Sequence, residues 1–163
     1  MLQQTITAVS LSATVFFFSP WLLIVLIIAV VPAFLGESHL SSIDSFQTLA
    51  SCAMLTERLL LGIAVTNMVF RHPTVLAGAA ASLNEISKGR AILGLGTGDG
   101  PVYSQGLKAT PLKQFEEGVR LIRRLVRGHP AAFPTGKIGI GFTINKPAPI
   151  YVSAEGPKGL RLA

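Results

Sequence analysis

Apolar positions are patterned in two ways along this chain, and the change falls near residue 40. Before it, Leu11–Leu35 (LSATVFFFSPWLLIVLIIAVVPAFL) is apolar without a period, and no Asp, Glu, Lys or Arg precedes Glu37. A run of that length predicts a bilayer-spanning helix. Pro20 near its middle removes a helical hydrogen bond, which leaves two forms open. One is a single kinked span. The other is a hairpin of Thr5–Ser19 and Trp21–Leu35, turning at Ser19-Pro20-Trp21 with Trp21 at the membrane surface. A signal peptide is not expected, because nothing basic precedes the run.

From Ser45 the pattern becomes periodic. Phe46, Leu49, Ala50 and Ala53 stand at helical spacing, so Ser45–Thr56 is a predicted helix with Asp44 as its N-cap. Arg58–Val65 is a continuous apolar run, the mark of a strand buried on both faces. His72-Pro73 opens a helix with proline at its first position. Leu76, Ala79, Ala80, Leu83 and Ile86 form its stripe, and Gly89 closes it. Arg90–Gly96 is the next buried strand. Thr110-Pro111 begins a helix that runs to Arg127 and stops at Gly128. Pro130–Pro149 is less regular, with room for a small hairpin. Ile150–Ala154 is a third buried strand, and Gly156-Pro157 starts another helix. This alternation predicts an α/β fold of parallel strands with right-handed crossovers. It is either a doubly wound sheet or part of a (β/α)8 barrel, with about three βα units. In both, chemistry sits in the loops after the strands, here Thr66–His72, Thr97–Thr110 and Glu155–Lys158.

Composition sharpens this only in part. The chain has 163 residues and a formal net charge of +6. Its mean hydropathy of +0.55 is raised by the N-terminal run. All 14 Lys and Arg lie from Arg58 onward and are scattered. Nucleic-acid binding is therefore not expected, although Arg120, Arg123, Arg124 and Arg127 share one helical face. The single cysteine, Cys52, excludes an internal disulfide. His39 and His129 have no partners at metal-ligand spacing, so no metal site is expected.

Three motifs follow the strands. Gly94–Gly100 (GLGTGDG) fails the G-x-G-x-x-G template in either frame, since Asp99 or Pro101 takes the place of the third glycine. It reads instead as a tight loop needing positive φ, or as backbone that a flat ring can approach closely. In Ala64–Pro73, Thr66 and Asn67 are small polar groups at a strand end. Arg71 and His72 either bind an anion there or are, respectively, solvated and a helix cap. In AEGPKGL, Gly156, Pro157 and Lys158 suit either a phosphate site or plain helix initiation.

Two resemblances attach to these residues. SPWLLIVLIIAVVPAFLGESHL resembles the middle of an ATP-binding-cassette exporter membrane domain, over roughly residues 5–40. No Walker-type phosphate loop accompanies it. LLLGIAVTNMVFRHPTVLAGAAASLNEISKGRAILGLGTGDG, LKQFEEGVRLIRRLVRG and PIYVSAEGPKGLRLA together resemble the luciferase-like oxidoreductase superfamily, nearest its methylenetetrahydromethanopterin-reductase-like branch, from about Asp44 to Ala163. That resemblance implies a (β/α)8 barrel and FMN or a deazaflavin coenzyme, which carries the hydride or oxygen chemistry. It implies that Ala64-Val65 backs the ring, often through a non-proline cis peptide. Thr66 and Asn67 would edge the ring or the substrate, and Thr97 would bond the cofactor. Ser153, Ala154, Glu155 and Gly156 would line its phosphate-bearing tail, with Pro157 and Lys158 beside it. Catalytic residues are not assigned.

Met68 and Glu155 depart from the family's usual proline and small residue. A whole barrel takes about 250 residues, so the expected arrangement is an apolar membrane-like segment over 1–40, then an incomplete oxidoreductase domain over 44–163. The opening strands, which in that family supply acidic or histidine site residues, would be replaced by the apolar segment. The expected function is a flavin- or deazaflavin-dependent oxidoreductase of the luciferase-like monooxygenase class, inactive as a fragment and acting on a small-molecule substrate. The alternative is a small membrane-anchored, non-catalytic protein or a chimeric gene product. Residues 11–35 would hold the chain at a membrane with the soluble part cytoplasmic, or leave it cytoplasmic if they do not insert. Exposed barrel edges would favour oligomers.

Overall fold

Four strands of this chain lie parallel in one sheet, in the order β1-β2-β3-β6. The computed structural model describes residues 32–37, 43–154 and 156–162. In chain order the elements are β1 (Pro32–Leu35), α1 (Ser45–Leu55), β2 (Leu60–Asn67), α2 (Pro73–Ile86), β3 (Ala91–Gly96) and a short α3 (Gly100–Tyr103). Then come α4 (Leu112–Leu125), the antiparallel pair β4 (Ala131–Phe133) and β5 (Gly136–Ile138), β6 (Ile150–Val152) and α5 (Gly156–Leu160).

The first strand corrects the expected end of the membrane-like segment. Pro32–Leu35 is not the tail of a span from Trp21. It pairs in register with Leu60–Ile63. A four-residue apolar run reads alike as buried strand or helix, and proline is tolerated at the first position of a strand. The rest of the predicted span, and the exporter-like resemblance up to residue 31, lie outside the described residues. Among the described residues no helix is long and apolar enough to cross a membrane.

Helix ends follow the sequence signals closely. Asp44 caps α1 by accepting the Gln47 N–H at 3.0 Å. Pro73 takes the first position of α2, and the His72 ring accepts the Thr74 N–H at 3.3 Å. Gly89, at φ 83°, donates to the Asn84 carbonyl at 2.8 Å and closes α2. α4 starts differently from the expectation. Pro111 itself is the cap and provides no side-chain bond. The Thr110 N–H instead donates to the Thr97 carbonyl at 2.8 Å, pinning the ends of the 97–110 loop together. α4 ends at Leu125, and Gly128 (φ 75°) completes the turn beyond it.

Alternation on the strands separates two faces. Leu61 and Ile63 of β2 pack with Leu49 and Ala53 of α1 and Leu83 of α2. Leu93 and Leu95 of β3 pack with Leu76 and Ala80 of α2 and with Phe115, Val119 and Ile122 of α4. Each fully buried leucine or phenylalanine there contributes about 1.5–3 kcal/mol. The opposite face carries Phe34, Gly62, Gly94, Gly96 and Tyr151. A Cβ at Gly62 would meet the Phe34 ring at 2.4 Å, so Phe34 lies over Gly62. Tyr151 is 63% exposed, so β6 is not the strand buried on both faces that the sequence predicts.

Arg90, just before β3, locks the N-terminal edge of the sheet. Its guanidinium donates to the carbonyls of Ala53 (2.9 Å), Thr56 (2.7 Å), Leu59 (2.8 Å) and Ser87 (2.7 Å), and to the Thr56 hydroxyl at 3.1 Å. Carbonyls left without partners at the end of a helix are thereby satisfied by a charged donor.

Candidate functional site

The C-terminal ends of the strands open onto a cleft of about 770 Å³. That is the size range of small-molecule and cofactor sites. Its floor comes from an irregularity in β2. Ile63 pairs with Leu93, yet Thr66 already pairs with Leu95, so β2 carries one extra residue at Ala64-Val65. The Ala64–Val65 peptide is cis. The extra residue sets Val65 on the cleft face over β3. There the two glycines of β3 make room: a Cβ at Gly94 would lie 3.1 Å from Val65 Cγ1, and one at Gly96 3.0 Å from Val65 Cγ2 and 3.9 Å from Ser153 Cβ. Val65, Gly96 and Ser153 all line the cleft. Three neighbouring strand ends thus form a floor of backbone and small side chains. Of the expected readings of the glycine run, positive φ holds at Gly98 (105°), while what packs closely against Gly94 and Gly96 is β2 itself, at Ile63 and Val65.

One wall is built from charged and polar groups. Glu37, two residues beyond β1, borders the cleft although its side chain is only 1% exposed. Arg71 Nε donates to Glu37 Oε1 at 2.7 Å, and the Thr66 hydroxyl donates to Oε2. Arg71 Nη2 also reaches Asp44, and its guanidinium lies 5.1 Å above the Phe46 ring. Burial works against the charge of Arg71, but Glu37 and Asp44 carry its pKa above the usual guanidinium value. Burial likewise opposes ionisation of Asp44, yet the Gln47 amide and Arg71 hold its carboxyl below the ordinary range. Asn67 faces the cleft, and its Oδ1 accepts the N–H groups of Val69 and Phe70 at 3.1 Å each. Met68 sits in this turn and packs against Gly118 of α4.

The other walls are the 97–103 segment, with Thr97, Asp99 and Tyr103, and the region after β6, with Ser153, Ala154 and Lys158. Of the residues expected at a site, Ala64, Val65, Asn67, Thr97, Ser153, Ala154 and Lys158 are brought together here. Thr66 is fully buried and turned to Glu37. Gly156 and Pro157 are exposed and do not border the cleft. Glu155 lies outside the described residues. Among the described residues no cluster suits a metal ion.

Two expectations change. Arg71 is neither solvated nor free for an anion, because two carboxylates hold it, while His72 caps the helix. The acidic residue at the end of an opening strand is present, as Glu37. Sequence reasoning missed it as a site residue. The available signal was a carboxylate directly after an apolar strand-length run, at the same strand-end level as Thr66.

Residues 32–163 match the family profile described as luciferase-like monooxygenase, which takes in β1 and Glu37. The chain is 37% identical over 135 residues to the 5,10-methylenetetrahydromethanopterin reductase of Archaeoglobus fulgidus, covering 77% of this chain and 40% of that protein. It is 33% identical over 136 residues to the F420-dependent glucose-6-phosphate dehydrogenase of Nakamurella multipartita, covering 73% and 38%. The solved coenzyme F420 dependent tetrahydromethanopterin reductase of Methanopyrus kandleri superposes with a TM-score of 0.67 at 26% identity, over 82% of this chain and 45% of that one. The chain therefore spans less than half the length of these relatives.

Proposed function

This chain belongs to the luciferase-like monooxygenase family, and from that premise we propose that its cleft binds a deazaflavin of the F420 type for a hydride-transfer oxidoreductase. FMN, with a ring of similar shape, is the alternative occupant. The observation that carries this reading is the floor at Val65, Gly96 and Ser153, where a side chain at position 96 would close the cradle. A planar ring needs that flat backbone surface. The names of relatives at 33% identity and of the 26%-identical structure favour the deazaflavin.

When bound, the cofactor supplies the hydride chemistry. The residues of this chain bind and orient it. Ala64 and Val65 back the ring, and Asn67 and Thr97 present polar groups to its edges. Ser153, Ala154 and Lys158 lie toward its anionic tail, where Lys158 supplies a cation. Glu37, held by Thr66 and Arg71, fixes the wall that carries Asn67.

The test is titration of the 163-residue chain with oxidised F420 and, separately, with FMN, following cofactor fluorescence. Saturable binding of the deazaflavin is expected, and Gly96→Val, which fills the floor, weakens it by about tenfold or more. Absence of binding by both cofactors, or an unchanged Gly96→Val variant, overturns the reading.

A further inference from the structure

We infer that Asn67 is a specificity-determining residue of the cleft, one that requires a carbonyl-type acceptor on the bound ring. The inference rests on the cofactor reading above and deepens it.

Asn67 ends β2 beside Gly96, the floor glycine of β3. It is 6% exposed and borders the cleft. Its carboxamide has only one available orientation. Oδ1 accepts two backbone N–H groups, from Val69 and Phe70, at 3.1 Å each, which uses both lone pairs of an amide oxygen. Turning the amide over would set its NH2 against those two donors. The side chain therefore shows the cleft a donor and no acceptor. Nδ2 makes no hydrogen bond to the described residues.

Its neighbours leave this donor to the ligand. The Thr66 hydroxyl is committed to Glu37, and both Glu37 oxygens already accept, from Thr66 and from Arg71. Val65 and Gly96 offer no side-chain polar group. Asn67 is buried apart from its cleft side, so an occupant that covers its unpaired N–H is favoured when it brings an acceptor to that point. A ring carbonyl satisfies it, whereas a ring N–H or amino group in the same place would oppose donor to donor. Discrimination of this kind is strong, because the mismatched ligand leaves a buried polar group unpaired.

The test separates this role from the turn that Asn67 also makes. Asn67→Asp keeps an oxygen for the Val69 and Phe70 amides but replaces the NH2 donor with an anionic acceptor. Asn67→Ala loses both. The full chain and both variants are titrated with oxidised F420 and FMN, and their thermal unfolding is followed by circular dichroism. For Asn67→Asp, a melting temperature between those of the wild type and Asn67→Ala is expected, because two backbone donors offset part of the cost of the buried carboxylate, with affinity for the bound cofactor reduced by about tenfold or more. Asn67→Ala is expected to lose both stability and affinity. Wild-type-like binding by Asn67→Asp overturns the inference and leaves the cofactor reading standing. So does a loss of stability in Asn67→Asp as large as in Asn67→Ala, which would make the residue a turn former alone. Failure of the wild type to bind either cofactor overturns the cofactor reading and, with it, this inference.

Discussion

Replacing Gly94 with alanine sets a methyl group against the backbone of the neighbouring strand. An ideal Cβ there lies 2.4 Å from the Ile63 carbonyl oxygen, 3.1 Å from Val65 Cγ1 and 3.4 Å from Ala64 Cα. Heavy atoms pack comfortably at about 3.5 Å, so β2 and β3 would have to part by roughly 1 Å at this point. The nearest obstacle is a carbonyl of a paired strand, not the far end of a flexible side chain. Added methyl groups in packed interiors cost about 1–3 kcal/mol, and a backbone obstacle places Gly94→Ala at the upper end, about 3 kcal/mol. At about 2–4 °C per kcal/mol for a chain of this size, the melting temperature falls by roughly 6–12 °C. Thermal and urea unfolding followed by far-ultraviolet circular dichroism measure both quantities. The displaced segment, Ala64-Val65, is also the cleft floor, so cofactor affinity should fall with stability. A Gly94→Ala variant within about 1 kcal/mol of wild type would refute the reasoning. It would show that the bulge in β2 yields freely and that glycine is not required for close approach.

Other positions give outcomes of different sign or origin. Gly78 lies inside α2 with nothing within 4 Å of its Cβ position, so Gly78→Ala should stabilise by about 0.5–1 kcal/mol in the same unfolding assay. Arg90→Ala strands four carbonyls that the guanidinium now satisfies. A loss of about 3 kcal/mol is expected from the urea midpoint, and Arg90→Lys should restore little of it, because lysine lacks the planar fork. Asp44 has a lowered pKa, so its contribution is complete above the ordinary carboxylate value and disappears as pH falls through its folded pKa. Asp44→Asn keeps a cap for Gln47 but loses the charge facing Arg71. Its stability should therefore fall less steeply than that of the wild type below about pH 4, as read from acid-unfolding curves.

The elements read most directly from sequence were those whose signals are local. His72-Pro73 and Gly89 bracket α2 because a first-turn proline and a left-handed glycine act within one turn of themselves. The parallel sheet followed from strand-helix alternation, which needs no knowledge of contacts. β1 was hidden because Pro32–Leu35 continues an apolar run with no period to separate strand from span. The short α3 was hidden inside a glycine-rich loop. At the cleft, the loops that open at Thr66 and Thr97 were legible because parallel strand ends can be read from the alternation, whereas Ala64 and Val65 were implied only by the family resemblance. The Glu37–Arg71 ion pair was not, because it joins residues 34 apart in sequence. Arg71 alone looks like a surface charge, and Glu37 alone looks like the first residue of a polar segment.

That ion pair also gives the cleft a direction. At the β1–β2 side one guanidinium stands between two carboxylates, leaving the group acidic on balance, and Glu37 borders the cleft itself. Among the described residues after β6, the charged one at the cleft is Lys158. An anionic tail laid toward Glu37 would be repelled at short range in a site partly shielded from water, whereas toward Lys158 it is attracted. The flat, uncharged floor between them at Val65 and Gly96 favours neither charge. On the proposed function, a cofactor with a flat ring and an anionic tail would be oriented by these walls, with its ring against Asn67 and its tail toward the residues after β6. Asn67 would then read only one edge of a ring that arrives the right way round.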